Sequence, residues 1–221
     1  MTKYIAIAVM AFIAAYLIGS VNFAVIFSKL FTGKDVREAG SGNAGATNTL
    51  RTVGKRAGIL TFVCDALKGF VACSVGKAVF TYLFATTANG LFHPQYGAYL
   101  CCIGVMLGHI YPVFFGFKGG KDVACSVGTF AICCPIAIIL GLTGFAICLI
   151  TSKIVSLSSL LATVIVVGVS IAYQFLANVD YNIVPIIVMS LIAGFIVFIK
   201  HKDNIVRLAK GEEKKISSRK N

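Results

Sequence analysis

The chain has 221 residues, 58% of them hydrophobic and 13% charged, with a mean hydropathy of +0.90 and a net charge of +12. A soluble domain is about a quarter charged, so this composition excludes an ordinary water-soluble globule and implies a polytopic membrane protein with no separate soluble domain. The excess of Lys and Arg belongs in cytoplasmic loops against anionic headgroups, and with no basic helix or aromatic platform standing free of the bilayer it excludes nucleic acid as a partner.

A membrane span needs about 20 apolar residues. Tyr4 to Ser28 meets this, and it is too long for the apolar core of a signal peptide. A charged loop from Lys29 to Ala57 follows, with six Lys or Arg. A second span runs from Gly58 to about Leu83 and carries Asp65, Lys68 and Lys77. Asp65 and Lys68 are three apart, so they share a helix face and can pair. After a charge-free loop from Thr86 to Pro94, a third span covers Gln95 to Phe115.

Lys118 to Asp122 make a short polar break, and Val123 to Ser152 then carry no charge. A further span starts at Ile154 and ends near Asn178, Asp180 marks a turn, and Ile183 to Ile199 is the last span. The tail beyond it holds eight Lys or Arg. Both the charged loop and this tail belong inside. Parity then requires Val123 to Ser152 to go out and back as two helices of about 12 to 15 residues, roughly 18 to 22 Å each, with Pro135, Gly141 and Gly144 offering breaks. The expectation is an all-α bundle of about seven transmembrane helices, N-terminus outside and C-terminus cytoplasmic. A five-span version with a re-entrant hairpin is the alternative. The chain reads as one domain over residues 1–221.

The eight cysteines all lie in apolar segments, with no CxxC pair and no His at metal-ligand spacing. They read as small, reduced packing residues. Cys125 is set apart because it lies inside a polar island.

Three such islands interrupt the apolar pattern: GSGNAGATNTLR (Gly40 to Arg51), GFKGGKDVACSVG (Gly116 to Gly128) and KHKDNIVRLAKGEE (Lys200 to Glu213). Glycine lets a backbone approach an anion closely, and cations neutralise it. In the first, Ser41, Asn43, Thr47 and Asn48 lie among Gly40, Gly42 and Gly45, with Arg51 able to grip an oxyanion through two N–H groups. In the second, Lys118 and Lys121 flank Gly119 and Gly120, and backbone N–H groups at the helix start near Val123 would add to an anion site. The spacing is not that of a Walker A loop. In the third, His201, Asn204, Arg207 and Glu212 follow the last span, and His201 and Asn204 share a face if the helix continues. Three islands on one membrane face imply a pocket for a phosphorylated molecule at the bilayer edge.

Together the strings SGNAGATN with Arg51, DALKG (Asp65 to Gly69), GHIYPVFFGFKGGKDVA, the Ser156 position in VSLSS, and HKDNIVRL with Glu212 closely resemble the bacterial acyl-phosphate:glycerol-3-phosphate acyltransferases, the PlsY family. The resemblance covers nearly the whole chain. It implies a seven-helix protein of the bacterial inner membrane, with a cytoplasmic-facing site that moves a fatty acyl group from acyl-phosphate to the 1-position hydroxyl of glycerol 3-phosphate. The product would be 1-acyl-glycerol 3-phosphate, or lysophosphatidic acid, in phospholipid biosynthesis. It further implies no cofactor, no metal and no use of acyl-CoA, with membrane lipids and the soluble enzyme that makes acyl-phosphate as partners.

The family's key roles fall on Ser41, Arg51, Lys118, Ser156, His201 and Asn204. Substrate binding falls on Asn43, Gly45, Thr47, Asn48, Gly119, Gly120, Lys121 and Glu212. Asn22, Ala44, Cys125 and Lys200 depart from the commoner family pattern. Acyl-phosphate is already activated, so positioning and charge stabilisation matter more than a covalent nucleophile. His201 and the substrate's own phosphate are the two candidate bases, and Cys125 is a third idea, as nucleophile. The competing classes are a transporter of a phosphorylated metabolite, which shares the basic islands, and a structural membrane protein whose islands bind lipid headgroups. The apparent lack of an internal repeat weighs against the transporter.

Overall fold

The computed structural model describes residues 2–87, 92–177, 179 and 181–216. The turn expected at Asp180, the middle of the loop expected over 86–94, and Arg219 and Lys220 of the basic tail lie outside the described residues. Among those described, every regular element is helical: α1 (Thr2–Gly19), α2 (Phe23–Thr32), α3 (Ala46–Thr52), α4 (Lys55–Thr87), α5 (Pro94–Ile110), α6 (Val123–Cys133), α7 (Pro135–Ser152), α8 (Val155–Leu176), α9 (Val184–Lys200) and α10 (Lys202–Ala209). Short 3₁₀ turns cover Val36–Glu38 and Val113–Phe115. The chain forms two compact units, Met1–Cys133 and Cys134–Asn221.

Among the described residues, five segments are long and apolar enough to cross a membrane: Thr2–Thr32, Lys55–Thr87, Pro94–Phe115, Pro135–Ser152 and Val155–Leu176. Counting α9 with α10, bent by 60° at their junction, makes a sixth. The first is broken between α1 and α2, where the Ser20 hydroxyl donates to the Tyr16 carbonyl at 2.9 Å and Asn22 caps α2 by accepting from Val25 N–H at 3.2 Å. The spans turn large apolar side chains outward, among them Ile13, Phe62, Phe70, Ile139, Ile150 and Phe195. Such surface is stable against lipid and not against water.

In the first unit α4 is the central element, packed by α5, α6, α1, α2 and α3. Small residues allow these close crossings. A methyl group at Gly76 would strike the Gly97 carbonyl, and one at Gly128 the Ala66 carbonyl. Close backbone approach at small residues drives helix association where water supplies no hydrophobic force.

The charge-free stretch is indeed two helices. The break falls at Cys134, next to Pro135, which opens α7 as its first helical residue. Proline supplies a helix-ready φ there and disfavours helix at the residue before it. The two helices have 11 and 18 residues, unlike the near-equal pair expected. Gly141 and Gly144 do not break α7. In the second unit α7 packs along α8, and these glycines accommodate Val166 and Ile165. α9 lies on the other contact of α8.

Candidate active site

The first island is a loop organised by one side chain. Asn48, buried in α3, accepts from the Ser41 N–H at 2.9 Å and donates to the Val36 and Ala39 carbonyls, each at 3.0 Å. Its amide is therefore committed to the loop, and it acts as a positioning residue rather than an open substrate contact. Gly45 caps α3, its carbonyl receiving both the N–H and the hydroxyl of Thr49 at 3.1 Å. Ser41 and Arg51 are exposed, and Asn43 and Thr47 are half-buried.

The second island folds back onto the end of α5. Gly119 N–H donates to the Ile110 carbonyl and Gly120 N–H to the His109 carbonyl, both at 3.1 Å. These two backbone donors are thus committed to the fold. Phe117 and Asp122, at φ 59° and 70°, bracket the turn in left-handed conformations that L-residues adopt at a cost of about 1–3 kcal/mol. Lys118 is exposed and Lys121 half-buried. Asp122 is fully buried and accepts from the Ser126 hydroxyl at 2.9 Å. Burial pushes its carboxyl well above the ordinary range, against the opposing pull of that hydrogen bond.

Arg37 ties the 3₁₀ turn ahead of the first island to the second island. Its guanidinium donates to both oxygens of Asp35, at 3.0 and 2.8 Å, to the Phe115 carbonyl at 2.7 Å and to the Lys118 carbonyl at 3.3 Å. The Arg37 hydrogen bond outweighs the effect of burial and holds the Asp35 carboxyl below its usual value. A cleft of about 530 Å³ opens here, lined by Asp35, Arg37, Glu38, Gly42, Phe115, Gly116, Lys118 and Gly119. Its lining combines three glycines with two cations and two carboxylates, and since Arg37 is paired with Asp35, Lys118 is the lining cation offered to an incoming anion.

In the second unit the helix does not continue through His201. It ends there, and α10 departs at 60°. His201 is buried, with Nδ1 2.9 Å from the Val197 carbonyl. A carbonyl can only accept, so Nδ1 carries the proton and Nε2 is the basic nitrogen of the neutral ring.

Glu213 is the centre of the third island. Its Oε1 accepts from Ser156 Oγ at 3.0 Å and from Asn204 Nδ2 at 2.7 Å, while Oε2 accepts from Arg207 Nε at 2.7 Å. Burial raises the carboxyl, but the three donors outweigh it and lower its pKa overall. The substrate-binding expectation for Glu212 falls on a residue beside this hub and not within it. Glu212 is exposed, and the contacts belong to its neighbour, because the chain turns after α10 with Glu212 N–H donating to the Arg207 carbonyl at 2.8 Å.

The model of a family described as glycerol-3-phosphate acyltransferase matches residues 9–211, across both units. The chain belongs to this acyltransferase family. It is 37% identical over 208 residues to glycerol-3-phosphate acyltransferase 2 of Bacillus anthracis, covering 94% of this chain and 98% of that protein. It is 38% identical over 215 residues to the glycerol-3-phosphate acyltransferase of a Thermoanaerobacter species, covering 96% and 97%. Among solved structures it is similar to PlsY, described as an integral membrane glycerol 3-phosphate acyltransferase. In that protein's glycerol 3-phosphate form the TM-score is 0.78, with 32% identity and 96% of each chain covered. In its lysophosphatidic acid form the TM-score is 0.75 with 31% identity. The chain is accordingly a multi-pass membrane member of the PlsY family.

Sequence reading of this family member missed Arg37, Asp35 and Glu213. Arg37 was one of six cations in a loop, and its spacing of two from Asp35 was the available signal. Cys125 is fully buried, in a cluster with Ala11, Ala15, Ala72, Cys101 and Val105, so it packs and is not presented as a nucleophile. Cys73, Cys102 and Cys133 bring three buried thiols within 4.8 Å of one another. Their separations of about thirty residues gave no metal-spacing signal.

Proposed function

We propose that the chain transfers a fatty acyl group from acyl-phosphate to the 1-position hydroxyl of sn-glycerol 3-phosphate. The hydroxyl oxygen bonds to the acyl carbonyl carbon, the bond from that carbon to the phosphate oxygen breaks, and inorganic phosphate leaves with 1-acyl-glycerol 3-phosphate. The observation that carries this reading is the acyltransferase family match over residues 9–211, to which the first unit adds a cleft bearing Lys118 and lined by Gly42, Gly116 and Gly119.

Arg51, Lys118 and Lys121 hold phosphate groups as cations. Ser41 donates to oxyanion charge, and Ser156, whose one hydroxyl proton goes to Glu213, serves the site by holding that carboxylate. Asn43, Gly45, Thr47, Gly119 and Gly120 shape the binding surface, and Asn204, fixed by Glu213, orients substrate. The hydroxyl proton has two acceptors, Nε2 of His201 and the substrate phosphate. A His201→Gln enzyme that keeps the wild-type pH–rate profile would assign it to the phosphate.

The same reading takes both units as one catalytic domain, supported by a family match that runs through both. It places the protein in a bacterial inner membrane with N-terminus outside, and the site and C-terminus cytoplasmic. The six Lys or Arg of 29–57 and eight of the tail support this orientation. α6 is then the seventh crossing helix, too short for an unthinned bilayer at 11 residues. The soluble enzyme that makes acyl-phosphate is the partner the donor calls for.

The test uses full-length protein in lipid nanodiscs, with glycerol 3-phosphate and either palmitoyl-phosphate or palmitoyl-CoA. Product from palmitoyl-phosphate alone, lost in Arg51→Ala, is expected. No product from folded protein, with saturable uptake of glycerol 3-phosphate into proteoliposomes, would overturn the reading in favour of a carrier.

A further inference from the structure

Behind the glycine turn lies a charged group that the proposed chemistry does not use. Asp65 and Lys68, on α4, are 1% and 4% exposed at their side chains, with Lys68 Nζ 2.8 Å from Asp65 Oδ1. The ammonium also donates to the Val21 carbonyl, in the break between α1 and α2, at 2.7 Å, and lies 5.7 Å from the Phe23 ring centre. On the other side of Asp65 stands the buried His109, its Nδ1 3.6 Å from the same Oδ1. That gap is too long for a hydrogen bond.

A buried ion pair adds little net stability over an apolar pair of equal volume, and ionisable groups within spans mark function more often than packing. Its position suggests the role. His109 engages the turn twice. Its carbonyl accepts from Gly120 N–H at 3.1 Å, and its Nε2 occupies the space that a Cβ on Gly120 would need. The carbonyl of Ala44, in the first island, lies 2.8 Å from that same Cβ position. Gly120 is therefore packed closely against both the His109 ring and the first island.

We propose that Asp65, Lys68 and His109 are positioning residues that hold the Gly119–Gly120 turn, and so set the placement of Lys118 and Lys121 for the glycerol 3-phosphate phosphate group. The inference rests on the reading of that turn as a phosphate site. Asp65 faces Nδ1 of the ring from 3.6 Å, Lys68 fixes Asp65 to the α1–α2 break, and the ring packs against the turn. The strained residues at Phe117 and Asp122 need such external support.

The experiment compares wild type with Asp65→Asn/Lys68→Met, which removes both charges together and leaves no lone buried ion. His109→Phe keeps a ring against Gly120 without Nδ1 and serves as the second variant if the double one fails to fold. Amide hydrogen exchange of residues 110–122 reads the turn without substrate. Kinetics in nanodiscs read its consequence. Both variants are expected to exchange Gly119 and Gly120 amides about tenfold faster and to raise KM for glycerol 3-phosphate about tenfold, with KM for acyl-phosphate within about twofold. Wild-type exchange with both KM values unchanged would overturn the proposal, as would a fall in kcat that only tracks the folded fraction. A wild type that exchanges as expected but never turns over would sink the enzymatic reading and leave the positioning of the turn standing.

Discussion

The two units build polar sites in opposite ways. In residues 1–133 the loop is held through backbone: Asn48 and Arg37 reach carbonyls at Val36, Ala39, Phe115 and Lys118, and Gly119 and Gly120 close onto α5. In the second unit a single carboxylate, Glu213, gathers Ser156, Asn204 and Arg207. A backbone-held loop presents fixed geometry, with its cations Arg51 and Lys118 left exposed. A carboxylate hub is adjustable by charge, so it responds to pH and to one substitution.

The largest effect should come from removing an exposed cation of the first unit. Arg51→Ala or Lys118→Ala is expected to lower kcat/KM by about 10²–10³-fold, the scale of losing a charge-stabilising donor, with thermal stability unchanged. A stability loss matching the activity loss would contradict their role as substrate contacts. Next is Gly120→Ala, which forces a methyl into His109 Nε2 and the Ala44 carbonyl. Overpacking of this kind costs about 1–3 kcal/mol, and thermal unfolding together with KM for glycerol 3-phosphate should register it.

Asn48→Ala strips partners from the Ser41 N–H and the Val36 and Ala39 carbonyls. A loss of about 1–3 kcal/mol is expected, with faster amide exchange over 36–48. Unchanged exchange would remove Asn48 as the loop's organiser.

Glu213→Gln tests the adjustable hub. The folded-state pKa of Glu213 is lowered, so its stabilisation is present above the ordinary value of 4.5 and is lost as pH falls from there through the lowered pKa. Limited proteolysis of residues 210–216 should stay slow at neutral pH and accelerate on acidification below that value. Glu213→Gln should be cut faster at neutral pH and show little further pH response. Because Arg207 is 39% exposed, the ion pair contributes at most about 1 kcal/mol. Glu212→Gln is the smallest change, within about 0.5 kcal/mol in stability as for an exposed residue. If Glu212→Gln loosens the tail and Glu213→Gln does not, the hub assignment fails.

Much was legible in the chain because it is local. Long apolar runs declare spans by their transfer free energy, and Asp65 and Lys68 pair because α-helical geometry puts residues three apart on one face. The helix break at Pro135 follows from the missing N–H and fixed φ of proline. The order of the islands carried the family resemblance. The bend at His201 was not legible, since no proline or glycine sits there and its neighbours Lys200 and Lys202 are good helix formers.

Only the tertiary structure decided which of several alike residues do the work. Glu213 rather than Glu212 meets Ser156, which is 57 residues away. Arg37, among the cations of its loop, reaches the Phe115 carbonyl 78 residues on. His109 is brought between Asp65 and Gly120 by the packing of α5 on α4. Such contacts depend on how helices cross, and crossing depends on where small residues let backbones approach. Hydropathy and short-range spacing carry no record of that choice.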